Sequence, residues 1–268
     1  MKIFVFGSTG MLGTYVNKYF SIKGYEVVPV NRKNIDITKI TDNMLMDSTI
    51  SSGDVVINCA GLIKQRAGVK EYDFIKINSM FPHMLAMTCE AKGAKLIHVS
   101  TDCVFDGAMG GYNELDPHNA TDIYGRSKSL GEPSFATVIR TSIIGEEKSN
   151  FLSLLEWVKS NKDSTVNGFT NHYWNGITCL KFAEVCDFII GNNIFWSSVK
   201  HVFSPKVVSK YELIKMISNV YDLNIEVIPV ECQNKCDRSL TTVRKSIILQ
   251  LEDLEIQLHK MKEFKIKE

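Results

Sequence analysis

Along the first half of the chain, short β-branched and apolar runs alternate with stretches whose apolar side chains return every three or four positions. Lys2–Phe6, Glu26–Val30, Asp54–Cys59, Lys95–Ser100 and Thr137–Arg140 read as strands, and Met11–Ile22, Glu71–Ala91 and Asp122–Gly131 as helices. This alternation predicts an α/β fold, a doubly wound parallel sheet joined by helical crossovers. Pro82 falls inside the third helical stretch and predicts a late start, a kink or a split there, because proline has no N–H to donate. After about Gly145 the alternation loosens. Phe151–Lys159, Phe182–Ile190 and Ser209–Tyr221 read as helices, Val199–Phe203 as a strand, and Thr241–Phe264 as a charged amphipathic tail. The expected organisation is a large lobe over residues 1–145, its sheet completed by parts of 172–203, and a smaller lobe made mainly of 146–268.

Composition narrows the function classes. The 268 residues are 44% hydrophobic and 23% charged, as in an ordinary globular protein. A net charge of +1 leaves no excess for nucleic acid or an anionic membrane, so neither is expected as a partner. A homodimer is compatible with the composition. The seven cysteines include no CxxC pair, and no histidine or second cysteine pair stands near Cys232 and Cys236, so no metal site is expected. A reduced, cytoplasmic protein fits this pattern. The opening MKIFVFGSTG has an apolar run too short for a secretion signal, and no run approaches a membrane span.

The first strand runs into Gly7-Ser8-Thr9-Gly10-Met11-Leu12-Gly13 and then an amphipathic helix. Gly7 permits a tight turn, Gly10 lets backbone approach a pyrophosphate, and Gly13 lets the helix pack on the strand. The helix N-terminus then offers N–H groups and a positive dipole end to phosphates. The second strand ends Val30-Asn31-Arg32, with Arg32 nineteen residues past Gly13. Dinucleotide sites specific for NAD usually carry an acidic residue here. An arginine suits a 2′-phosphate, which favours NADPH/NADP as cofactor. Asp36 and Ile37 are placed beside the adenine.

The fourth strand leads into Val99-Ser100-Thr101-Asp102-Cys103-Val104-Phe105-Asp106-Gly107, and twenty-three residues after Thr101 comes Tyr124-Gly125-Arg126-Ser127-Lys128. The YxxxK pattern alone is weak, since Tyr19/Lys23, Tyr72/Lys76 and Tyr211/Lys215 repeat it. Only the Tyr124 pair follows the strand that supplies a Ser/Thr. Residues i and i+4 share a helix face, so Lys128 can sit beside Tyr124 and stabilise its phenolate. Tyr124 would then protonate a carbonyl oxygen as hydride reaches carbon, Thr101 would orient that oxygen, and Lys128 would also hold the nicotinamide ribose.

Together, Gly7–Gly13, Asn58-Cys59-Ala60-Gly61, STDCVFDG at 100–107, YGRSK at 124–128 and Arg140-Thr141-Ser142 resemble the dTDP-4-dehydrorhamnose reductases and their relatives among the extended short-chain dehydrogenases/reductases. The resemblance covers most of the chain and thins after about residue 240. It implies a Rossmann-type sheet with a smaller C-terminal substrate-binding lobe. It also implies NADPH-dependent reduction of the 4-keto group of a dTDP- or UDP-linked 4-keto-6-deoxyhexose, in deoxysugar (rhamnose-like) biosynthesis. Thr101, Tyr124 and Lys128 are then the catalytic set; Gly10, Met11 and Leu12 lie on the pyrophosphate, and Ala60 and Gly61 on the cofactor. Two positions depart from the family pattern: Cys103 replaces a tyrosine and Ile143 a tryptophan, both sugar-facing in the family, which puts dTDP-4-dehydrorhamnose itself in question as substrate. Similarity to the regulatory β subunit of methionine adenosyltransferase keeps a non-catalytic NADP-binding subunit as the alternative.

At the substrate end, the segment Asn167–Gly176 is rich in polar, aromatic and turn-forming residues and reads as a loop. Asn171, His172 and Trp174 there, with Val104 and Arg238, are the candidate substrate contacts, Arg238 for a diphosphate. Cys103 stands two residues after Thr101, the offset found in bifunctional epimerase/reductases resembling this chain. A thiolate at Cys103 with His172 as partner acid would allow epimerisation at carbon 3 or 5; the bland reading is a small packing residue. His98 and His201 alternate within strand patterns and read as core histidines.

Overall fold

The computed structural model describes residues 1–64, 68, 70–149, 151–244 and 251–266. Its first half runs β1 (Lys2–Phe6), α1 (Met11–Ile22), β2 (Glu26–Val30), α2 (Asp42–Met46), β3 (Val55–Asn58), α3 (Glu71–Phe74), α4 (Phe81–Lys92), β4 (Lys95–Thr101), α5 (Ile123–Leu130) and β5 (Thr137–Thr141). The second half continues with β6 (Ile143–Ile144), α6 (Leu154–Ser160), β7 (Thr165–Phe169), β8 (His172–Trp174), β9 (Ile177–Thr178), α7 (Cys179–Gly191) and β10 (Ser198–His201). It ends with β11 (Val208–Ser209), α8 (Lys210–Tyr221), β12 (Glu226–Val230), β13 (Cys236–Asp237) and α9 (Leu254–Phe264).

Six strands form a parallel sheet in the order β10-β5-β4-β3-β1-β2. This is the Rossmann-type doubly wound arrangement, with β10 from the second half completing it. Side chains alternate across the sheet. Ile3 and Val5 of β1 join α1 and α7 in one core, while Phe4 and Phe6 meet Phe81 and Leu85 of α4 in the other. The chain reverses its direction of winding between β1 and β3, and ligands of open α/β sheets bind at such a reversal.

Glu71–Lys92 is one helical stretch whose register widens to π at Ile75–Met80, immediately before Pro82 in the first turn of α4. Proline gives no N–H to the preceding turn, and the wider turn absorbs that loss without breaking the helix. The side chain of Asn78, in this π turn, accepts from Leu62 N at 2.8 Å and donates to Leu62 O and to Ser127 Oγ, each at 3.1 Å. Gly131, just past α5, packs on the same turn so closely that a Cβ would fall 1.8 Å from the Asn78 carbonyl oxygen. These contacts dock α5, which carries Tyr124 and Lys128.

The smaller lobe pairs β7 with β12 and arranges a second sheet β11-β8-β13. The expected loop at 167–176 is therefore largely strand. Its backbone groups pair with β12, β11 and β13, partners more than thirty residues away in sequence. Within the expected tail, α9 forms over Leu254–Phe264, and residues 245–250 lie outside the described ones. Among the described residues, no helix is long and apolar enough to cross a membrane.

Candidate active site

Two cavities open at the carboxyl ends of the parallel strands. The first, about 290 Å³, is lined by Gly7, Thr9, Gly10, Arg32, Asp36, Ile37, Cys59, Ala60 and Gly61, with Leu62 and Ile77. Its floor is glycine by necessity. Gly7 adopts φ +75° and a Cβ there would meet Ala60 Cα at 2.8 Å; a Cβ on Gly13 would lie 2.1 Å from Gly7 O. No side chain caps the first turn of α1 at Gly10, which leaves its N–H groups for a ligand. The glycine floor and the N–H groups at the start of α1 suit the phosphates of a dinucleotide. Arg32 is exposed at the rim, and the Asp36 carboxylate is held below its ordinary range by hydrogen bonds from Thr38. Met11 and Leu12 do not line the cavity. Leu12 is buried in the core and Met11 packs against it, so only their backbone faces the turn.

Thr101, Tyr124 and Lys128 converge beside this cavity. The Tyr124 and Thr101 side chains are neighbours, and Tyr124 packs against the apolar cluster of Leu62, Phe74 and Ile77, two members of which, Leu62 and Ile77, also line this cavity. Lys128 is buried and donates to Val99 O at 2.7 Å, two residues before Thr101. Burial lowers its pKa to about 8. Burial, with Cys103, Asp102 and Asp122 nearby, raises the Tyr124 phenol above its usual value. The expected depression by Lys128 is thus overturned: desolvation and neighbouring acids prevail, and the phenol stays neutral.

The second cavity, about 230 Å³, is lined by Asp102, Cys103, Ser142, Ile143, His172, Trp174, Lys210, Cys236 and Arg238, among others. It brings Cys103, His172, Trp174 and Arg238 together as expected. Two other substrate candidates do not reach it. Val104 is 0% exposed in an apolar cluster with Phe105, Tyr112 and Leu240, because the 3₁₀ turn at Asp102–Val104 aims it inward. The Asn171 side chain is occupied by the Cys232 backbone, donating to its carbonyl at 2.7 Å and accepting from its N–H at 3.0 Å. Arg238 gives Nε to Phe105 O at 2.9 Å and Nη2 to Asp106 O at 3.2 Å, and so clamps the loop after β4 as well. Burial and the Asp102 carboxylate push the Cys103 thiol up to about 12. That is opposite to the lowering a thiolate base requires.

Residues 1–263 match the family described as the RmlD substrate binding domain. The chain belongs to that family. It is 35% identical over 154 residues to a dTDP-4-dehydrorhamnose reductase of Mycobacterium tuberculosis, covering 53% of this chain and 49% of that protein. It is 27% identical over 247 residues to methionine adenosyltransferase 2 subunit beta of Danio rerio, covering 83% and 74%. The chain spans about half the length of the first curated reductases it matches. Its fold matches the crystal structure of a dTDP-4-dehydrorhamnose reductase from Bacillus anthracis in complex with NADP, with a TM-score of 0.79, 20% identity and 97% and 98% of the two chains covered.

Within this family's fold the structure adds residues that the sequence pattern did not single out. Cys59, at the end of β3, enters the first cavity and Lys210, opening α8, enters the second. Lys210 stands 5.4 Å from the Trp174 ring centroid, and burial lowers its pKa. A lysine at the start of a predicted helix carries no signal of its own, and only the pairing of β11 with β8 brings it to the cavity. His98 and His201 are buried, as expected; burial holds both below the usual histidine pKa, His201 at about 4.

Proposed function

We propose that this chain uses NADPH to reduce the 4-keto group of a nucleotide-linked 4-keto-6-deoxyhexose, dTDP- or UDP-linked, in the making of a deoxysugar. The observation that carries this reading is Tyr124 placed beside Thr101 at the strand end, between the glycine-floored cavity and the one lined by Cys103 and Arg238, with Lys128 buried alongside. Gly7, Thr9, Gly10 and the backbone at Met11 and Leu12 would hold the pyrophosphate, Arg32 the 2′-phosphate, Asp36 and Ile37 the adenine side, and Ala60, Gly61 and Lys128 the nicotinamide half. When bound, the cofactor supplies hydride to carbon 4 of the sugar. Tyr124, kept neutral by burial, gives its phenolic proton to the carbonyl oxygen, which Thr101 orients. Cys103, His172, Trp174 and Arg238, with Lys210, form the substrate wall. Residues 1–145 with β10 serve the cofactor, and 146–268 mainly the nucleotide sugar.

A second reading, a regulatory subunit that binds NADP without turnover, is favoured by the alignment to the methionine adenosyltransferase subunit, which covers 83% of the chain. Sugar-dependent oxidation of NADPH by the wild type separates the two, and Tyr124→Phe tests the proton donor. Loss of the proton donor should lower kcat about 10²- to 10⁴-fold with NADPH affinity retained. A wild-type rate in this variant would remove Tyr124 from the chemistry.

A further inference from the structure

Behind the strand end that carries Thr101, outside both cavities, lies a cluster of ionisable side chains built on the buried Arg140, Glu132 and His201, with His118 on its exposed side. Arg140 of β5 is 1% exposed. Its Nη2 donates to Glu132 Oε2 at 2.6 Å and its Nε to Glu132 Oε1 at 3.0 Å, a two-pronged ion pair. The same guanidinium reaches His201 Nε2 at 2.8 Å and His118 Nε2 at 2.6 Å, so both rings accept there and are neutral. Their Nδ1 atoms then donate to Thr241 O at 2.7 Å and Ser129 Oγ at 2.6 Å. Glu132 Oε1 also accepts the Ser100 hydroxyl. Ser100 stands between Val99, whose carbonyl holds the Lys128 ammonium, and Thr101. One carboxylate therefore grips the strand residue that separates two catalytic contacts.

We propose that Glu132 is a positioning residue for the reduction, an inference that rests on the function proposed above. Through Ser100 it fixes the segment presenting the Val99 carbonyl and the Thr101 hydroxyl, and its negative charge holds Lys128 as an ammonium. The ionisable groups around Lys128 are Glu132 after α5, itself paired with the Arg140 cation of β5, Tyr124 one turn earlier on α5, Cys59 just after β3 and His98 on β4. Burial keeps the Cys59 thiol protonated and the His98 ring neutral, so Glu132 is the anion of this set. A buried ion pair adds little net stability over an apolar pair of the same volume.

Glu132→Gln keeps the shape and removes the charge. NADPH binding, followed by fluorescence, and kcat should both lose their alkaline limb about one pH unit or more below wild type, since an ammonium without its anion gives up its proton sooner. Ser100→Ala leaves the ion pair intact. It should keep the wild-type limb and NADPH affinity while kcat falls roughly ten- to a hundredfold through misplacement of Thr101. A folded Glu132→Gln protein with the wild-type limb overturns the proposal, as does Ser100→Ala with wild-type kcat. If Glu132→Gln does not fold, Ser100→Ala decides alone. A wild-type protein that binds no NADPH would instead overturn the reductase reading, which separates the two failures.

Discussion

Four Tyr-x-x-x-Lys pairs occur in the chain, and the environment of each lysine sets its use. Lys23, Lys76 and Lys215 lie over the rings of Tyr19, Tyr72 and Tyr211 at 5.5, 4.7 and 5.2 Å, ordinary cation–π contacts on helix faces. Lys128 instead turns to a strand carbonyl in a buried site. Sequence position singles out the Tyr124 pair, since only Tyr124 follows the strand that ends in Thr101. The electrostatics were not legible, because desolvation depends on what the whole fold packs around a group. Cys103 shows this most clearly. Its offset from Thr101 suggested a base, yet burial beside Asp102 pushes the thiol up to about 12. We therefore expect no deuterium at carbon 3 or 5 when a 4-keto nucleotide sugar is held with the protein in deuterated water without NADPH, as read by NMR. Exchange that disappears in Cys103→Ser would contradict this.

At the scale of elements, the sheet strands and their crossovers were readable because buried parallel strands are short apolar runs and their helices are periodic. What Pro82 does was readable only as a choice among outcomes; the structure resolves it as a π turn that receives α5. That docking predicts a specific weakness. Gly131→Ala would place a Cβ 1.8 Å from the Asn78 carbonyl, whereas a Cβ on Gly191, at the end of α7, meets nothing within 4 Å. Gly131→Ala should destabilise by about 1–3 kcal/mol, a fall in Tm of roughly 3–10 °C, while Gly191→Ala leaves Tm unchanged or raises it. Equal melting of the two variants would show that α5 is not held by this contact. The strands β7, β8 and β12 were not legible as a set. Their pairing is long-range, and segments of two to five residues carry too little periodicity to announce it.

For the whole molecule, both cavities open at the carboxyl edge of one sheet. The glycine turn after β1, the Cys59–Gly61 segment after β3 and Thr101 at the end of β4 meet there because the winding reverses at β1 and β3. The second cavity is closed by β8, α8 and β13, which come from the far half of the sequence. The first cavity draws nearly all of its lining from residues 6–77, a stretch whose pattern is legible in the sequence. The second is assembled from short pieces of distant sequence, and two of the five expected substrate contacts, Val104 and Asn171, serve packing and loop bracing instead. The most direct measurement is to supply NADPH deuterated at the transferable position with dTDP- and UDP-linked 4-keto-6-deoxyhexoses, and to locate the label by NMR. Reduction as proposed consumes NADPH only when the sugar is present and delivers deuterium to carbon 4. A protein that binds NADPH tightly yet leaves it unoxidised with both sugars would be contradictory to a reductase and would fit a cofactor-sensing subunit.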